Sequence, residues 1–167
     1  MIIQKAKISE IGDIMLMYKS CVEGMLANNI DQWDESYPNK DIIMQDLIAQ
    51  TYFIVIEHNI IIAGINIDQN QDKTYLPLKW KDKKNQFLVV HRLAVKEVFW
   101  GKGIGKSLMI FTEKLAIKKG LNSIRLDTYS GNLKAMDFYK RIGYHEVGTI
   151  NLKPNKNKYH CFEKIIK

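Results

Sequence analysis

The chain has 167 residues, of which 46% are hydrophobic and 26% charged, so it fits one domain with a sizeable core, and two domains would each be marginal. No apolar run approaches the about 20 residues that a membrane-spanning helix needs, so we expect a soluble protein. The net charge of +7 hides an acidic first half, with 6 basic and 11 acidic side chains in residues 1–80, and a basic second half, with 19 and 7 in residues 81–167.

The first 68 residues show strand, helix and hairpin patterns in turn. Apolar side chains recur at helical spacing from Ile11 to Met25. The predicted elements are a strand at 2–8, a helix at 10–27 capped by Ser9, a loop at 29–39, a shorter helix capped by Asn39, and a hairpin at 52–57 and 60–68 around His58 and Asn59. Gly64 inside the second hairpin strand predicts a bulge.

Residues 69–85 form the most polar stretch of the chain, and its length is typical of a functional connection. The elements predicted after it are a strand at 87–95, a glycine turn, a helix that ends at Gly120, a strand at 123–128, a helix at 132–142 closed by Gly143, and strands at 144–150 and 158–165. No repeat or linker interrupts them, so we expect one domain over residues 1–167.

The turn after the strand at 87–95 is suited to holding a phosphate. Gly101, Gly103 and Gly105 permit backbone angles that other residues avoid, so successive N–H groups can converge on an anion where the next helix begins. Lys102 and Lys106 add positive charge beside these N–H groups.

Two nucleotide-binding motifs come close to this turn and fail. A Walker loop ending in Gly105-Lys106-Ser107 needs glycine at position 100, where the chain has Trp100. The following strand also places Arg125 where a buried apolar residue belongs. The dinucleotide-binding pattern G-x-G-x-x-G lacks its third glycine. A glycine-rich turn without a ligand is the remaining alternative, although three alternating glycines cost conformational entropy that a plain turn need not incur.

Two longer motifs include this turn and the last predicted helix. They are His91-Arg92-Leu93-Ala94-Val95 followed by Phe99-Trp100-Gly101-Lys102-Gly103-Ile104-Gly105, and Asn132-x-x-Ala135-x-x-Phe138-Tyr139-x-x-x-Gly143-Tyr144. With the order of the elements, they resemble the fourth strand, the acetyl-CoA pyrophosphate loop and the N-x-x-A-x-x-F-Y-x-x-x-G-F segment of the GNAT family of N-acetyltransferases. The resemblance covers nearly the whole chain. It implies an α/β (mixed α+β) fold, with a central mixed, mostly antiparallel sheet flanked by helices.

The resemblance also implies a site for acetyl-CoA as co-substrate. Backbone groups of Leu93 and Val95 would pair with the pantetheine arm, and the Val95 N–H would support the oxyanion of the tetrahedral intermediate. Trp100 stands where the family usually has Arg or Gln, and an indole cannot donate the same hydrogen bonds. The other residues implied to bind the cofactor are Gly101, Lys102, Gly103, Ile104, Gly105, Lys106, Ser107, Asn132, Phe138 and Tyr139.

Tyr139 is the candidate catalytic acid. A phenol has an ordinary pKa near 10 against about 8.5 for a thiol, so it stays protonated at neutral pH and can donate to the departing thiolate. The alternative for Tyr139 is a packed aromatic of the core. Asn132, implied to anchor pantetheine, also fits the N-cap of the last helix.

The acceptor amine must lose a proton, and His91 is the candidate to take it. His91 has the same strand parity as Leu93 and Val95, and histidine titrates in the useful range, although a hydrogen-bonded structural histidine is the alternative. The family resemblance places an acidic loop beside the acceptor, and its candidates are Asp31, Trp33, Asp34 and Glu35. The indole would wall an aliphatic or cationic substrate; a solvated acidic loop is the alternative.

The resemblance therefore implies an enzyme that transfers acetyl from acetyl-CoA directly to a primary amine, and the acidic first half of the chain favours a small cationic acceptor. The alternatives are a peptide N-terminus or lysine as acceptor, and a catalytically silent acyl-CoA-binding sensor. No metal or specific nucleic acid is expected, because the histidines lack metal-site spacing and the lysines are dispersed. Two distant cysteines and a start without a signal-peptide pattern indicate a reduced, cytoplasmic protein. The resemblance also leads us to expect a homodimer.

Overall fold

The structure, a computed structural model, describes residues 1–153 and 157–166. Its strands are β1 (Ile2–Lys5), β2 (Tyr52–Glu57), β3 (Ile60–Asp68), β4 (Phe87–Val95), β5 (Ser123–Tyr129), β6 (His145–Ile150) and β7 (Tyr159–Ile165). Its helices are α1 (Ile11–Ala27), α2 (Lys40–Ile48), α3 (Ile104–Lys118) and α4 (Leu133–Arg141). None of the helices in residues 1–153 and 157–166 combines the length and the hydropathy that a membrane-spanning helix requires.

The strands follow the order β1-β2-β3-β4-β5-β7-β6. β4 and β5 pair in parallel, whereas β1 with β2, β2 with β3, β5 with β7 and β6 with β7 pair antiparallel. The predicted mixed, mostly antiparallel sheet with helices is therefore confirmed.

Two compact units divide the chain. Unit 1 contains Met1–Ile67 and His91–Met109, and unit 2 contains Asp68–Val90 and Ile110–Lys167. β4 and α3 each contribute residues to both units. The extent of the predicted domain, residues 1–167, stays a prediction.

Apolar side chains of α1, α2 and β2 form the core of unit 1. Ile14, Ile43 and Ile54, one from each element, have no exposed surface. Full burial of each such side chain contributes roughly 1.5–3 kcal/mol relative to exposure. This burial fixes both helices in the unit and thereby the loop that connects them.

Short sequence patterns predicted a helix cap and a hairpin turn of unit 1 correctly. The Asn39 side chain accepts the Ile42 N–H at 3.0 Å and begins α2. His58 and Asn59 have φ values of 49° and 62°, the left-handed pair that a two-residue hairpin turn requires. The predicted cap and the predicted hairpin are both confirmed.

Ser9 does not cap α1, which corrects the sequence prediction. A 3-10 turn at Ile8–Glu10 continues directly into the helix, so Ser9 lies inside the turn and not before it. Glu10 performs the local bonding instead, because its carboxylate accepts the Lys7 N–H at 2.7 Å.

Gly64 marks a close contact and not a bulge. The register shift of the hairpin lies between Val55 and Ile56, whereas Gly64 pairs regularly with Ile54. A Cβ at Gly64 would collide with the Tyr52 hydroxyl and would lie 2.8 Å from the ring carbon that carries it. Glycine is required here because the phenol occupies the space of a side chain.

Unit 2 holds a charged side chain in its core. Arg125 is 1% exposed, and its guanidinium carbon lies 4.4 Å from the ring centroid of Trp80 and 3.9 Å from that of Phe87. Its Nε lies 3.7 Å from Oε1 of Glu163. Stacking and a nearby carboxylate offset the cost of taking a guanidinium out of water. The strand therefore accepts an arginine where the pattern favours an apolar residue.

The polar segment 69–85 is fastened to β5. Arg125 donates to the Gln71 side chain at 2.8 Å and to the Asp82 carbonyl at 3.0 Å. The hydroxyl of Tyr75, which is 1% exposed, donates to Asp127 at 2.6 Å. The segment is thus packed as part of unit 2, and a functional role for it stays a prediction.

Candidate functional site

The segment after β4 turns sharply before α3 begins. A 3-10 turn occupies Glu97–Phe99, and Gly101 and Gly103 then have φ values of 74° and 80°. A Cβ on either glycine would meet open space, so the left-handed backbone and not packing requires glycine there. The prediction of special backbone angles is confirmed at these two positions.

Gly105 departs from that prediction. It is the second residue of α3, and its φ is not in the positive region. The prediction is wrong at this position because the helix has already begun.

The start of α3 presents backbone N–H groups and two lysines. The Ser107 N–H donates to the Gly103 carbonyl at 3.0 Å and opens the helical ladder. The N–H groups of residues 104–106 come before the first bond of that ladder. Helix N-termini bind phosphate through N–H groups in this position. Lys102 and Lys106 are exposed, while the Ser107 hydroxyl donates to the Gly103 carbonyl at 3.2 Å. The turn therefore offers an anion both dipoles and charge.

Trp100 ties the turn to the end of β4. Its indole Nε1 donates to the Val95 carbonyl at 2.7 Å, and its half-buried ring packs against the core of unit 1. This bond gives a structural reason for an aromatic at the position of the usual Arg or Gln. A direct contact of Trp100 with a cofactor stays a prediction.

One residue of β4 leaves extended geometry. Arg92 has a φ of 52°, and strand alternation holds only while every intervening residue is extended. The parity of Leu93 and Val95 therefore does not transfer to His91, and the parity argument is wrong for this reason. His91 is half-buried, and its role as a base stays a prediction.

Contacts that the sequence analysis missed surround Arg92. Its carbonyl accepts the Tyr18 hydroxyl at 2.7 Å, and Tyr18 in turn accepts the Tyr52 hydroxyl at 2.8 Å. Its guanidinium donates to both oxygens of Asp46 at 2.6 to 3.0 Å. Burial raises the pKa of Tyr18 and of Tyr52, so both hydroxyls stay protonated. An arginine within a mostly apolar strand was the sequence signal for this cluster.

In the loop between α1 and α2 the acidic side chains are exposed to solvent, whereas the indole of Trp33 is buried. Asp31, Asp34 and Glu35 are exposed. Trp33 is 8% exposed and packs edge-on against Tyr18, with ring centroids 5.7 Å apart. The carboxylates are thus accessible, whereas burial leaves little of the Trp33 ring to contact a substrate.

Asn132 begins α4 in unit 2. Its side-chain oxygen accepts the Ala135 N–H at 3.0 Å, which confirms the N-cap. Phe138 on the same helix is half-buried, and its ring centroid lies 5.1 Å from that of Tyr139. Cofactor contacts of Asn132 and Phe138 stay predictions.

Tyr139 is a core aromatic of unit 2, and its role as the catalytic acid stays a prediction. It is 6% exposed and packs against Tyr144 and Phe162, with ring centroids 6.0 Å apart in each pair. Burial raises the pKa of its phenol, and the charge of Asp127 raises it further. The residue is therefore a packed aromatic whose hydroxyl keeps its proton at neutral pH.

Among residues 1–153 and 157–166, no group of three or more His, Cys, Asp and Glu side chains is placed to hold a metal ion. Cys21 and Cys161 are both buried and not in a disulfide. Burial raises the pKa of both thiols, so each stays protonated at neutral pH.

The acetyltransferase (GNAT) family matches residues 21–144, well over half of the chain. The chain belongs to this family. The matched span of the GNAT chain includes both the glycine turn and the segment from Asn132 to Tyr144, so the family resemblance seen in these motifs is confirmed.

Two curated relatives match part of this GNAT protein. Streptothricin acetyltransferase of Escherichia coli is 32% identical over 90 residues, which cover 53% of this chain and 49% of the relative. Thialysine N-epsilon-acetyltransferase of Bos taurus is 28% identical over 83 residues, which cover 50% and 44%. The chain thus matches less than half the length of either relative.

Solved structures confirm the GNAT fold over almost the entire chain. An acetyltransferase of the GNAT family from Streptococcus agalactiae 2603 has a TM-score of 0.81 at 23% identity, covering 98% of this chain and 94% of that one. The PaiA N-acetyltransferase of Thermoplasma acidophilum, in complex with coenzyme A, has a TM-score of 0.71 at 18% identity and covers 98% of each chain.

Proposed function

We propose that this GNAT protein transfers the acetyl group of acetyl-CoA directly to the primary amine of a small cationic molecule. The observation that carries the proposal is the turn before α3. Two left-handed glycines, Gly101 and Gly103, lead into a helix N-terminus flanked by Lys102 and Lys106. These groups suit the pyrophosphate and the 3′-phosphate of acetyl-CoA.

The proposed reaction needs one acid and one base. The neutral amine attacks the thioester carbonyl, the tetrahedral intermediate collapses, and the C–S bond breaks to leave an amide and a thiolate. Tyr139 donates its proton to that thiolate as the C–S bond breaks. Burial raises the pKa of the phenol, which keeps it protonated at neutral pH but also makes it a weaker acid, so the proposed role rests on the family motif. The Val95 N–H supports the oxyanion, and His91 takes the proton that the ammonium loses.

A cationic acceptor is proposed from charge. Asp31, Asp34 and Glu35 are exposed carboxylates on one loop, and such a group attracts cations and slows the approach of anions. The names of two relatives, a thialysine and a streptothricin acetyltransferase, are consistent with small amine acceptors. A cytoplasmic location and a homodimer stay predictions.

The first experiment is thermal unfolding with acetyl-CoA, CoA, Mg-ATP or no ligand. A ligand at 100 times its dissociation constant adds about 2.7 kcal/mol, which raises the melting temperature of a chain of this size by roughly 5 to 11 °C. We expect that shift with acetyl-CoA and CoA. A shift with Mg-ATP alone would favour the near-miss Walker loop and refute the proposal.

The second experiment measures acetyl transfer to a panel of primary amines that differ in charge and include a peptide N-terminus and a lysine peptide. We expect small polycationic amines to have the highest kcat/KM. A preference for peptides would replace the proposed acceptor class. Acetyl-CoA binding without turnover of any amine would favour the acyl-CoA sensor.

The catalytic acid is tested with Tyr139→Phe against Tyr144→Phe as the matched control. Both substitutions remove one hydroxyl from a buried ring of unit 2. We expect Tyr139→Phe to lower kcat at least tenfold while acetyl-CoA binding is kept, and Tyr144→Phe to leave kcat within threefold. Equal kcat values for Tyr139→Phe and wild type would remove Tyr139 from the mechanism.

A further inference from the structure

Arg92 holds a backbone conformation that its neighbours must maintain. Its φ of 52° lies in the left-handed region, which is unfavourable for a residue with a Cβ. Such residues persist where several contacts fix them together, and they concentrate at functional sites. Arg92 directly precedes Leu93 and Ala94, in the strand segment that ends at Val95.

Two helices bind Arg92 directly. Tyr18 of α1 donates to its carbonyl at 2.7 Å, and Asp46 of α2 accepts its guanidinium through both carboxylate oxygens. Tyr52 of β2 donates to the Tyr18 hydroxyl oxygen at 2.8 Å, whereas the bond to the Arg92 carbonyl uses the Tyr18 proton. We name Tyr18, Asp46 and Arg92 the Arg92 clamp.

The clamp lies in a dry part of unit 1. Tyr18 is 1% exposed and Tyr52 is 0% exposed, so water competes little for their hydrogen bonds. Gly64 provides the space that the Tyr52 hydroxyl occupies. The pKa of Arg92 is raised despite burial, because Tyr37 and Asp46 stabilise its charge. The guanidinium therefore stays charged and bound to Asp46.

The same strand segment is also held at its other end. The Val95 carbonyl accepts the Trp100 indole at 2.7 Å, as the Arg92 carbonyl accepts the Tyr18 hydroxyl. The backbone carbonyls at both ends of residues 92–95 thus accept hydrogen bonds from side chains. A segment fixed at both ends keeps the direction of the N–H groups between them.

We propose that the Arg92 clamp positions the backbone of Leu93 and Val95 for acetyl transfer, with Tyr18 and Asp46 as positioning residues. The proposal rests on the proposed function, because it takes the Val95 N–H as the support of the developing oxyanion. A misplacement of about 1 Å can lower the rate by about a hundredfold. An oxyanion donor acts on the charge that develops in the transition state, so its displacement affects kcat more than ground-state binding.

The test compares Tyr18→Phe with Tyr52→Phe. The first removes the bond to the Arg92 carbonyl and keeps the ring; the second removes a neighbouring buried hydroxyl and leaves that bond in place. We expect Tyr18→Phe to lower kcat at least tenfold while KM for acetyl-CoA changes less than threefold. We expect Tyr52→Phe to lower kcat less than threefold, with similar melting temperatures for the two variants.

A second pair of measurements keeps the proposal testable if Tyr18→Phe folds poorly. Asp46→Asn removes the charge that binds the Arg92 guanidinium, and we expect the same loss of kcat without a matching rise in KM. The backbone amide resonances of Leu93 and Val95 in NMR spectra should move in both Tyr18→Phe and Asp46→Asn, and less in Tyr52→Phe.

The outcomes separate the clamp from the function it serves. Wild-type protein without acetyl transfer to any amine would refute the proposed function, and unmoved amides of Leu93 and Val95 would then refute the clamp independently. Active wild type with Tyr18→Phe within twofold in kcat would overturn the clamp alone. Equal losses of kcat in Tyr18→Phe and Tyr52→Phe would do the same, because they would indicate general loosening of the core.

Discussion

Replacing Gly103 with alanine tests the proposed phosphate turn most directly. Gly103 has a φ of 80°, and nothing lies within 4 Å of a Cβ built on it. The substitution therefore adds backbone strain and no collision. An alanine in the left-handed region costs about 1–2 kcal/mol, partly offset because the unfolded chain also loses freedom. At 2–4 °C per kcal/mol, we expect a loss of roughly 2 to 6 °C in melting temperature.

Gly120 provides a matched control within the same chain. Its φ is 72°, and a Cβ there also meets open space, but it follows the C-terminus of α3 instead of preceding the N-terminus. Gly120→Ala should therefore cost about the same stability as Gly103→Ala. The two variants share the same kind of backbone strain, but only Gly103 lies among the groups proposed to bind the pyrophosphate.

The assay is isothermal titration of both variants with acetyl-CoA. In Gly103→Ala the unbound turn can relieve its strain by moving, and binding must then restore it, so we expect affinity to fall up to about tenfold, equivalent to about 1.4 kcal/mol. Gly120→Ala should bind acetyl-CoA within twofold of wild type. Equal affinities of the two variants would refute the assignment of the turn to the cofactor.

Three further predictions concern packing and protonation. Gly64→Ala should lower the free energy of unfolding by about 3 kcal/mol in urea titrations. Adding Tyr52→Phe should restore only part of this loss, because the Tyr52 ring carbon would still lie 2.8 Å from the new Cβ. No recovery of stability in the double variant would contradict the collision. Glu163→Gln should lower the free energy of unfolding by about 3–5 kcal/mol, since it removes the carboxylate beside the buried charge of Arg125. A loss under 1 kcal/mol in urea titrations would show that the ion pair is dispensable for stability. Burial raises the pKa of Cys21 from 9.0 to about 12. Between these two pH values the thiol ionises in the unfolded chain but not in the folded protein. Cys21 should therefore lower the free energy of unfolding by about 1 kcal/mol per pH unit above pH 9. Native protein at pH 8 should resist a thiol reagent that labels Cys21 fully in urea.

Most features set by neighbouring residues in sequence were predictable, with the Ser9 cap and the angles of Gly105 as exceptions. The caps at Asn39 and Asn132 and the turn at His58 and Asn59 follow from short-range chemistry that the chain displays directly. The glycine turn belongs to the same class, since its angles depend on Gly101 and Gly103 themselves.

Features set by distant contacts were not predictable. Gly64 is explained by the Tyr52 hydroxyl across the hairpin, and the hydrogen bond between Tyr18 and Arg92 joins residues 74 positions apart. Trp33 reads as a surface aromatic beside acidic residues, yet it is buried against Tyr18. Periodicity gives the face of an element but not the partner that the face meets, so these side chains needed three-dimensional contacts.

The hydrogen bond between the Trp100 indole and the Val95 carbonyl also fixes a fluorescent side chain beside the glycine turn. Of the three tryptophans, Trp33 and Trp80 are 8% and 5% exposed, while Trp100 is half-buried beside the glycine turn. Emission from the two buried rings should change little when the surface changes, so a ligand that settles on the turn will alter mainly the fluorescence of Trp100. The substitution that departs from the family pattern thus places an intrinsic reporter, without any label, beside the groups proposed to bind acetyl-CoA.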